Sequence, residues 1–170
     1  GAGAAVLRPA HRGRGLIASA LGSDGSLGEL LFVPAGGSRR PASPETVAAG
    51  EHYLRMNGRE VYKHAVTNMV RAARAALHRA GLTVGDVRWF IPHQANLRII
   101  GAIAERLGAP MDRFVINVER YGNTSGASVP IALDEASRDG RLRNGDIVMM
   151  LVFGGGFTWG ATLLEWEKCS

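Results

Sequence analysis

The chain has 170 residues, 46% of them hydrophobic and 21% charged, which fits one globular domain with its own core and excludes a disordered chain. No apolar run approaches the roughly 20 residues that cross a bilayer, and the opening residues lack the basic start of a signal peptide, so a soluble, cytoplasmic protein with no membrane partner is expected. The net charge of +5 suits an acidic partner, but aromatic content is only 6% and no nucleic-acid motif is present, so nucleic acid is not an expected partner.

The chain opens without Met and runs from Gly1-Ala2-Gly3 straight into the apolar residues 4–7, as though a loop were cut just before a strand; a fragment is expected. Up to about residue 51, Gly and Pro punctuate short apolar runs at 4–7, 16–21 and 30–33, which predicts short strands and a long loop around residues 36–41. A helix is predicted over 60–80, where Val61, Ala65, Met69, Ala73 and Leu77 recur at helical spacing, with Tyr62, Val66, Val70 and Ala76 widening the stripe. Lys63, Arg71 and Arg74 share a direction on it, and Gly81 ends it. Residues 87–91 read as a buried strand stopped by Pro92. A second helix carries Leu97, Ile100, Ile103, Ala104 and Leu107 on one side and closes at Gly108 and Pro110. Residues 114–118 are predicted as a strand and 122–128 as a turn. A third helix is expected to open near Ser128, with Pro130 tolerated in its first turn, and to end by Gly140. The unbroken apolar run 147–153 predicts a strand covered on both faces, and Gly154-Gly155-Gly156 turns the chain into a neighbouring strand over 157–166. This order is an α/β pattern with a covered sheet.

His93 follows a predicted strand and precedes a helix, where α/β folds place functional groups; by itself it is equally well read as a histidine paired with a backbone carbonyl. Asn123, after Gly122, is ordinary turn chemistry on local grounds, and Thr124, Ser125 and Ser128 read as caps. Both side chains are nevertheless able to donate to one developing oxyanion. Gly154-Gly155-Gly156 reads first as a hairpin turn; the functional alternative is a backbone N–H at a close approach that tolerates no Cβ. It is not a dinucleotide fingerprint, because position 159 is Trp. No metal is expected: His11, His52, His64, His78 and His93 lack metal-ligand spacing, and neither a P-loop nor an HExxH occurs. The one cysteine, Cys169, excludes an internal disulfide, and its place next to the last residue argues against a positioned nucleophile. The basic helix face reads as a solvated face.

Four stretches together resemble a family. Met56-Asn57-Gly58-Arg59-Glu60-Val61-Tyr62-Lys63, Pro92-His93-Gln94-Ala95-Asn96-Leu97-Arg98-Ile99-Ile100, Tyr121-Gly122-Asn123-Thr124-Ser125 and Phe153-Gly154-Gly155-Gly156-Phe157-Thr158-Trp159-Gly160 resemble, in order, the C-terminal half of the β-ketoacyl-acyl carrier protein synthases III, condensing enzymes of the thiolase superfamily. The resemblance implies an α/β thiolase-like half over residues 1–170, a mixed sheet covered by helices and normally paired with a similar N-terminal half, in a homodimer. It implies an acyltransferase at the start of fatty-acid synthesis with a Cys-His-Asn site: the cysteine accepts an acyl group, such as acetyl, from coenzyme A, then condenses it with malonyl-acyl carrier protein. The nucleophilic cysteine belongs to the N-terminal half of such enzymes, so this chain on its own is expected to be inactive in condensation.

The same resemblance gives His93 and Asn123 the stabilisation of the enolate left by malonyl decarboxylation, which requires a neutral His93 whose pKa is not raised. It gives Gly155 an oxyanion-hole N–H with Phe153 packed beside the catalytic groups, and gives Gly58, Tyr62 and Asn96 the lining of the pantetheine tunnel, where Phe is commoner than Tyr at position 62. Gln94, Ala95, Asn96, Leu97 and Arg98 are implied to meet the carrier protein, which the basic helix face also fits. Gly126 departs from the small residue, such as Ala, usual there. No permanently bound cofactor is implied; coenzyme A thioesters and carrier-protein phosphopantetheine are substrates. The alternatives are a non-catalytic acyl-thioester or carrier-protein binding module, and a polyketide-type ketosynthase of the same superfamily.

Overall fold

A computed structural model describes residues 1–7, 9, 10 and 14–167; Cys169 and His11 lie outside the described residues. Strand β1 (Gly15–Ser23) is followed by the short β2 (Leu31–Phe32), helix α1 (Pro44–Ala48), β3 (Arg55–Met56), α2 (Gly58–Ala80), β4 (Trp89–Pro92), α3 (Leu97–Leu107), α4 (Val118–Tyr121), α5 (Ser128–Arg138), β5 (Ile147–Gly154) and β6 (Thr158–Glu165). The main sheet runs β1-β6-β5-β4. β4 and β5 are parallel, whereas β6 is antiparallel to both β5 and β1, so the sheet is mixed. β2 and β3 form a separate two-stranded ladder.

Strand alternation sorts the apolar side chains onto two faces. Phe90, Met149, Leu151 and Leu163 pack with the α2 and α3 stripes, while Ile91 and Val148 pack with Val129, Ala132 and Ala136 of α5. The first four are fully buried, each worth about 2 kcal/mol relative to an exposed position. In α2 the expected Ala65, Met69, Ala73 and Leu77 are buried together with Val66, Val70 and Ala76; Ala72 and Asn68 widen the stripe further. Asn57 caps the helix by accepting from the Glu60 N–H at 3.3 Å, and Gly81, at φ 67°, ends it in the left-handed conformation that glycine adopts without strain. The basic face is not one free patch. The Arg71 guanidinium lies 5.0 Å from the Trp159 ring centre, and Arg74 donates to the Arg106 carbonyl at 2.8 Å.

Three expectations need correction. Residues 4–7 form no strand, and Val6 and Leu7 are exposed: a short apolar run extends into a sheet only where a partner strand is available. Residues 114–118 form one bridge, Phe114 to Phe90, not a strand. The Gln94 carboxamide takes the next positions instead, donating to Val115 O at 3.0 Å and accepting from Asn117 N at 2.9 Å, and Val118 already starts α4. The short α1, capped by Ser43 and Thr46 with Pro44 in its first turn, lies in the stretch expected to hold only strands and loop; its Ser-Pro-x-Thr start is a readable cap.

The two faces of the sheet are not covered equally. Leu21 and Val152 both register on Gly160 of β6, and a Cβ at Gly160 would lie 2.7 Å from Leu21 Cδ2 and 3.4 Å from Val152 Cγ2. Leu21 is 79% and Val152 42% exposed. Among the described residues, α5 packs on that face mainly against β4 and β5, so β5 is covered on both faces at its start but not at Val152.

Candidate active site

The apolar run of β4 stops at Pro92, and the next residue, His93, is still fastened to the sheet: its N–H donates to Leu151 O at 2.7 Å, continuing the parallel β4–β5 pairing. Its Nδ1 lies 2.5 Å from the Ser128 hydroxyl at the first residue of α5, and that hydroxyl also accepts from the Gln94 N–H at 3.2 Å. Burial pushes the His93 imidazole below its ordinary pKa, because desolvation disfavours the charged ring. The shift favours the neutral imidazole over the imidazolium.

Asn123 belongs to a loop of different build. Gly122 holds φ 66° and ψ −163°, a region essentially reserved to glycine, and lets the chain leave α4. Asn123 Oδ1 then accepts from the Ser125 N–H at 2.9 Å, an Asx turn. With that oxygen engaged, the amide Nδ2 is the end left to donate, an assignment made from the hydrogen bonds. Ser125 has φ 55°, a strained value for a side chain with a Cβ. Behind the loop the Glu135 carboxylate accepts from Asn117 Nδ2 at 2.7 Å, Arg120 Nη2 at 3.0 Å and Tyr121 OH at 2.5 Å. Burial alone would raise the Glu135 carboxyl, but donation from Tyr121 and Asn117 and the Arg120 charge outweigh it and hold it below the ordinary carboxylate value.

Both loops open on one cleft of about 1260 Å³. It is lined by His93, Ala95, Asn96 and Arg98 from the β4–α3 junction, by Asn123, Ser125, Gly126 and Ser128, by Gly58, Arg59 and Tyr62 at the start of α2, and by Phe153, Gly154 and Gly155 at the β5–β6 hairpin. The cleft thus gathers His93, Asn123, Gly155, Phe153, Gly58, Tyr62, Asn96, Ala95 and Arg98 from four separate stretches. Phe153 packs on Phe157 with ring centres 4.9 Å apart. A Cβ at Gly155 would lie 3.4 Å from Leu31 O, ordinary contact; the crowding that forbids a side chain falls on Gly156, at φ 136° and 2.9 Å from Thr158 Cγ2.

One member of the expected docking stretch is placed otherwise. Gln94 is 1% exposed, and its carboxamide donates to Pro92 O at 2.8 Å besides bonding Val115 and Asn117; its side chain braces the loop and presents nothing to a partner. Leu97 is 52% exposed but is not part of the cleft wall. Asn96 is the α3 cap, its Oδ1 accepting from the Arg98 N–H at 2.8 Å, which exposes the Arg98 side chain at the cleft. Residue-type reasoning assigned nothing to Arg59 and only a cap to Ser128; the arginine lies within a stretch that was singled out, while the serine's contact with a histidine 35 positions away left no local signal. Charged side chains in the lining are Arg59 and Arg98, with no carboxylate among them. The rest of the lining is largely apolar, with Leu31, Leu54, Met56, Val61, Met69 and Ile99, so the cleft suits a ligand with an apolar body, to which His93 and Asn123 offer two donors for an anionic oxygen. Among the described residues no group of His, Cys, Asp and Glu is arranged to hold a metal ion, and no helix is long and apolar enough to cross a membrane.

Comparison with known proteins gives consistent matches. The chain is 54% identical over 167 residues to the β-ketoacyl-[acyl-carrier-protein] synthase III of Symbiobacterium thermophilum, covering 98% of this chain and 51% of that protein. The crystal structure of the synthase III from Thermus thermophilus superposes with a TM-score of 0.81 at 45% identity, covering 94% of this chain and 48% of that one. The priming β-ketosynthase of the R1128 polyketide biosynthetic pathway matches with a TM-score of 0.78 at 38% identity, covering 91% and 46%. The chain spans about half the length of the curated relatives it matches. Residues 77–166 match the family model described as the C terminal of 3-oxoacyl-[acyl-carrier-protein (ACP)] synthase III, which is more than half of the chain, and the chain therefore belongs to that family.

Proposed function

We propose that this chain supplies the decarboxylating side of a synthase III active site and acts as the C-terminal half of a complete condensing enzyme. An N-terminal half brings the nucleophilic cysteine, which takes an acyl group from an acyl-coenzyme A primer, acetyl-coenzyme A in the simplest case. Malonyl-acyl carrier protein then enters the cleft with its thioester oxygen toward His93 and Asn123. Loss of carbon dioxide leaves an enolate whose charge lies on that oxygen. Nε2–H of a neutral His93 and Nδ2–H of Asn123 stabilise it, and its carbon attacks the acyl-cysteine, releasing the thiolate and forming the 3-oxoacyl-carrier protein. Each preorganised donor in a water-poor cleft is worth about 3 kcal/mol. Gly155 N–H serves the acyl-cysteine oxygen, and Phe153 walls the reacting atoms from water. Gly58, Tyr62 and Asn96 border the pantetheine path, and Arg98, with Ala95 and Leu97 beside it, meets the acidic carrier protein.

The observation that carries this reading is the convergence of His93, held neutral by burial, and Asn123, with its oxygen already engaged, on one cleft. The open apolar row of Leu21 and Val152 supports a second layer, the N-terminal half, packing on that face; the complete enzyme acts as a homodimer in the cytoplasm. In the full-length enzyme, His93→Ala and Asn123→Ala should each abolish malonyl decarboxylation while cysteine acylation by acyl-coenzyme A persists; unchanged decarboxylation in both would overturn the assignment. Arg98→Glu should weaken carrier-protein binding more than acylation from coenzyme A, and equal loss of both would contradict the docking role. A polyketide-type priming ketosynthase is the second reading, supported by the 38% identity to the R1128 enzyme; it differs in primer, which acylation rates across an acyl-coenzyme A series decide.

A further inference from the structure

We propose that Ser128 is the positioning residue that sets the tautomer of His93: its hydroxyl donates to Nδ1, so that Nε2 carries the proton and presents N–H to the cleft. The inference deepens the proposed function and rests on its reading of His93 as a donor. Ser128 is 2% exposed, and its Oγ lies 2.5 Å from His93 Nδ1 and 3.2 Å from the Gln94 backbone nitrogen. The Gln94 N–H can only donate, so it occupies an acceptor site of Oγ. The described hydrogen bonds then offer the hydroxyl hydrogen one acceptor, Nδ1. A ring with Nδ1–H would instead aim a second N–H at the same oxygen and leave a buried hydroxyl hydrogen without a partner, which is costly in a low-dielectric interior.

The placement is rigid on both sides. Ser128 opens α5, whose next turns pack on β4 and β5 through Val129 and Ala132, and the His93 backbone is tied to Leu151 O. Gln94 cannot drift, because its carboxamide is bonded to residues 92, 115 and 117. The serine thus sits where helix and strand meet, and the ring has one orientation to accept it. A hydroxyl bonded to Nδ1 also stabilises the neutral ring. The other charged or titratable side chains lining the cleft are Arg59 and Tyr62 on α2 and Arg98 on α3; none supplies a negative charge at neutral pH to favour the imidazolium.

The test is made on the full-length enzyme. Ring ¹⁵N spectra of selectively labelled histidine, assigned with His93→Gln, should show Nδ1 as the unprotonated nitrogen at neutral pH; a protonated Nδ1 overturns the proposal without any variant of Ser128. Ser128→Ala should move the acid limb of the decarboxylation rate to higher pH by about half a unit to one unit, the worth of one hydrogen bond, and Ser128→Thr, which keeps the hydroxyl, should return it. An acid limb unmoved in a folded Ser128→Ala protein contradicts the proposal. Failure of the underlying reading is seen separately, as decarboxylation that persists in His93→Ala while the ¹⁵N result stands.

Discussion

His93 and Asn123 reach the same cleft from loops of opposite construction. The histidine is fixed by distant parts of the fold: its backbone by β5, its ring by Ser128 of α5, and its neighbour Gln94 by three internal hydrogen bonds. The asparagine is exposed and held by its own surroundings, an Asx turn to Ser125, a glycine at positive φ before it and a strained Ser125 after it. One donor is set by the core, the other by local turn chemistry with Glu135 as its support. Changes in the core should therefore act on His93 through packing and protonation, whereas changes around residues 117–126 should act on Asn123 in small steps.

Asn123→Asp separates the two halves of the asparagine's task. The carboxylate still accepts from the Ser125 N–H, but the donor is lost and a negative charge faces the developing enolate, so decarboxylation should fall by about 10²- to 10³-fold with the thermal melt little changed. A large loss of stability instead would show that the amide itself holds the loop. His93 is probed by acid. Burial holds its pKa below the ordinary 6.5, and well above pH 6.5 folded and unfolded chains are both neutral at this ring. As pH falls through 6.5 the unfolded chain takes up a proton that the folded one resists, so folding stability is lost on the acid side. Urea midpoints should drop on going from neutral to mildly acidic pH, and drop less in His93→Gln; an equal drop in both would remove His93 from the account.

Glu135→Gln leaves the Arg120 and Tyr121 donors with a weaker partner. It should cost about 1–2 kcal/mol in urea unfolding and lower decarboxylation several-fold while leaving the His93 acid limb in place. A moved acid limb would mean the two loops are not independent. Gly126→Ala is the smallest change and of opposite sign. A Cβ there meets nothing within 4 Å, and the backbone is not in the glycine-only region, so a lower unfolded-state entropy should add about 0.4–1 kcal/mol of stability; destabilisation would show that the loop needs glycine's freedom.

Much of this was legible in the chain. The stripes of α2 and α3 and the runs of β4 and β5 were readable because burial imposes helical or strand periodicity, and Pro92 marked where His93 leaves the sheet. The order of motifs carried the family resemblance that His93 and Asn123, taken singly, did not. Gln94 was misread because a glutamine beside a histidine in a polar-looking loop carries no mark of burial; its partners are the backbone groups of residues 115 and 117, whose own strand it replaces. Ser128 and Glu135 escaped for the same reason: their contacts are set by how α5 crosses behind two loops, a tertiary fact with no local pattern. Asn96 was readable as a helix cap from an Asn placed just before an apolar stripe, and was assigned to ligand contact first.

The central claim is that His93 and Asn123 donate to one oxygen. Malonyl-carrier protein decarboxylation measured for His93→Ala, Asn123→Ala and the double variant in the full-length enzyme tests it most directly. Two donors acting as a unit predict a double variant barely slower than the worse single one, a coupling of about 1–3 kcal/mol; losses that simply multiply would place the two side chains on separate tasks.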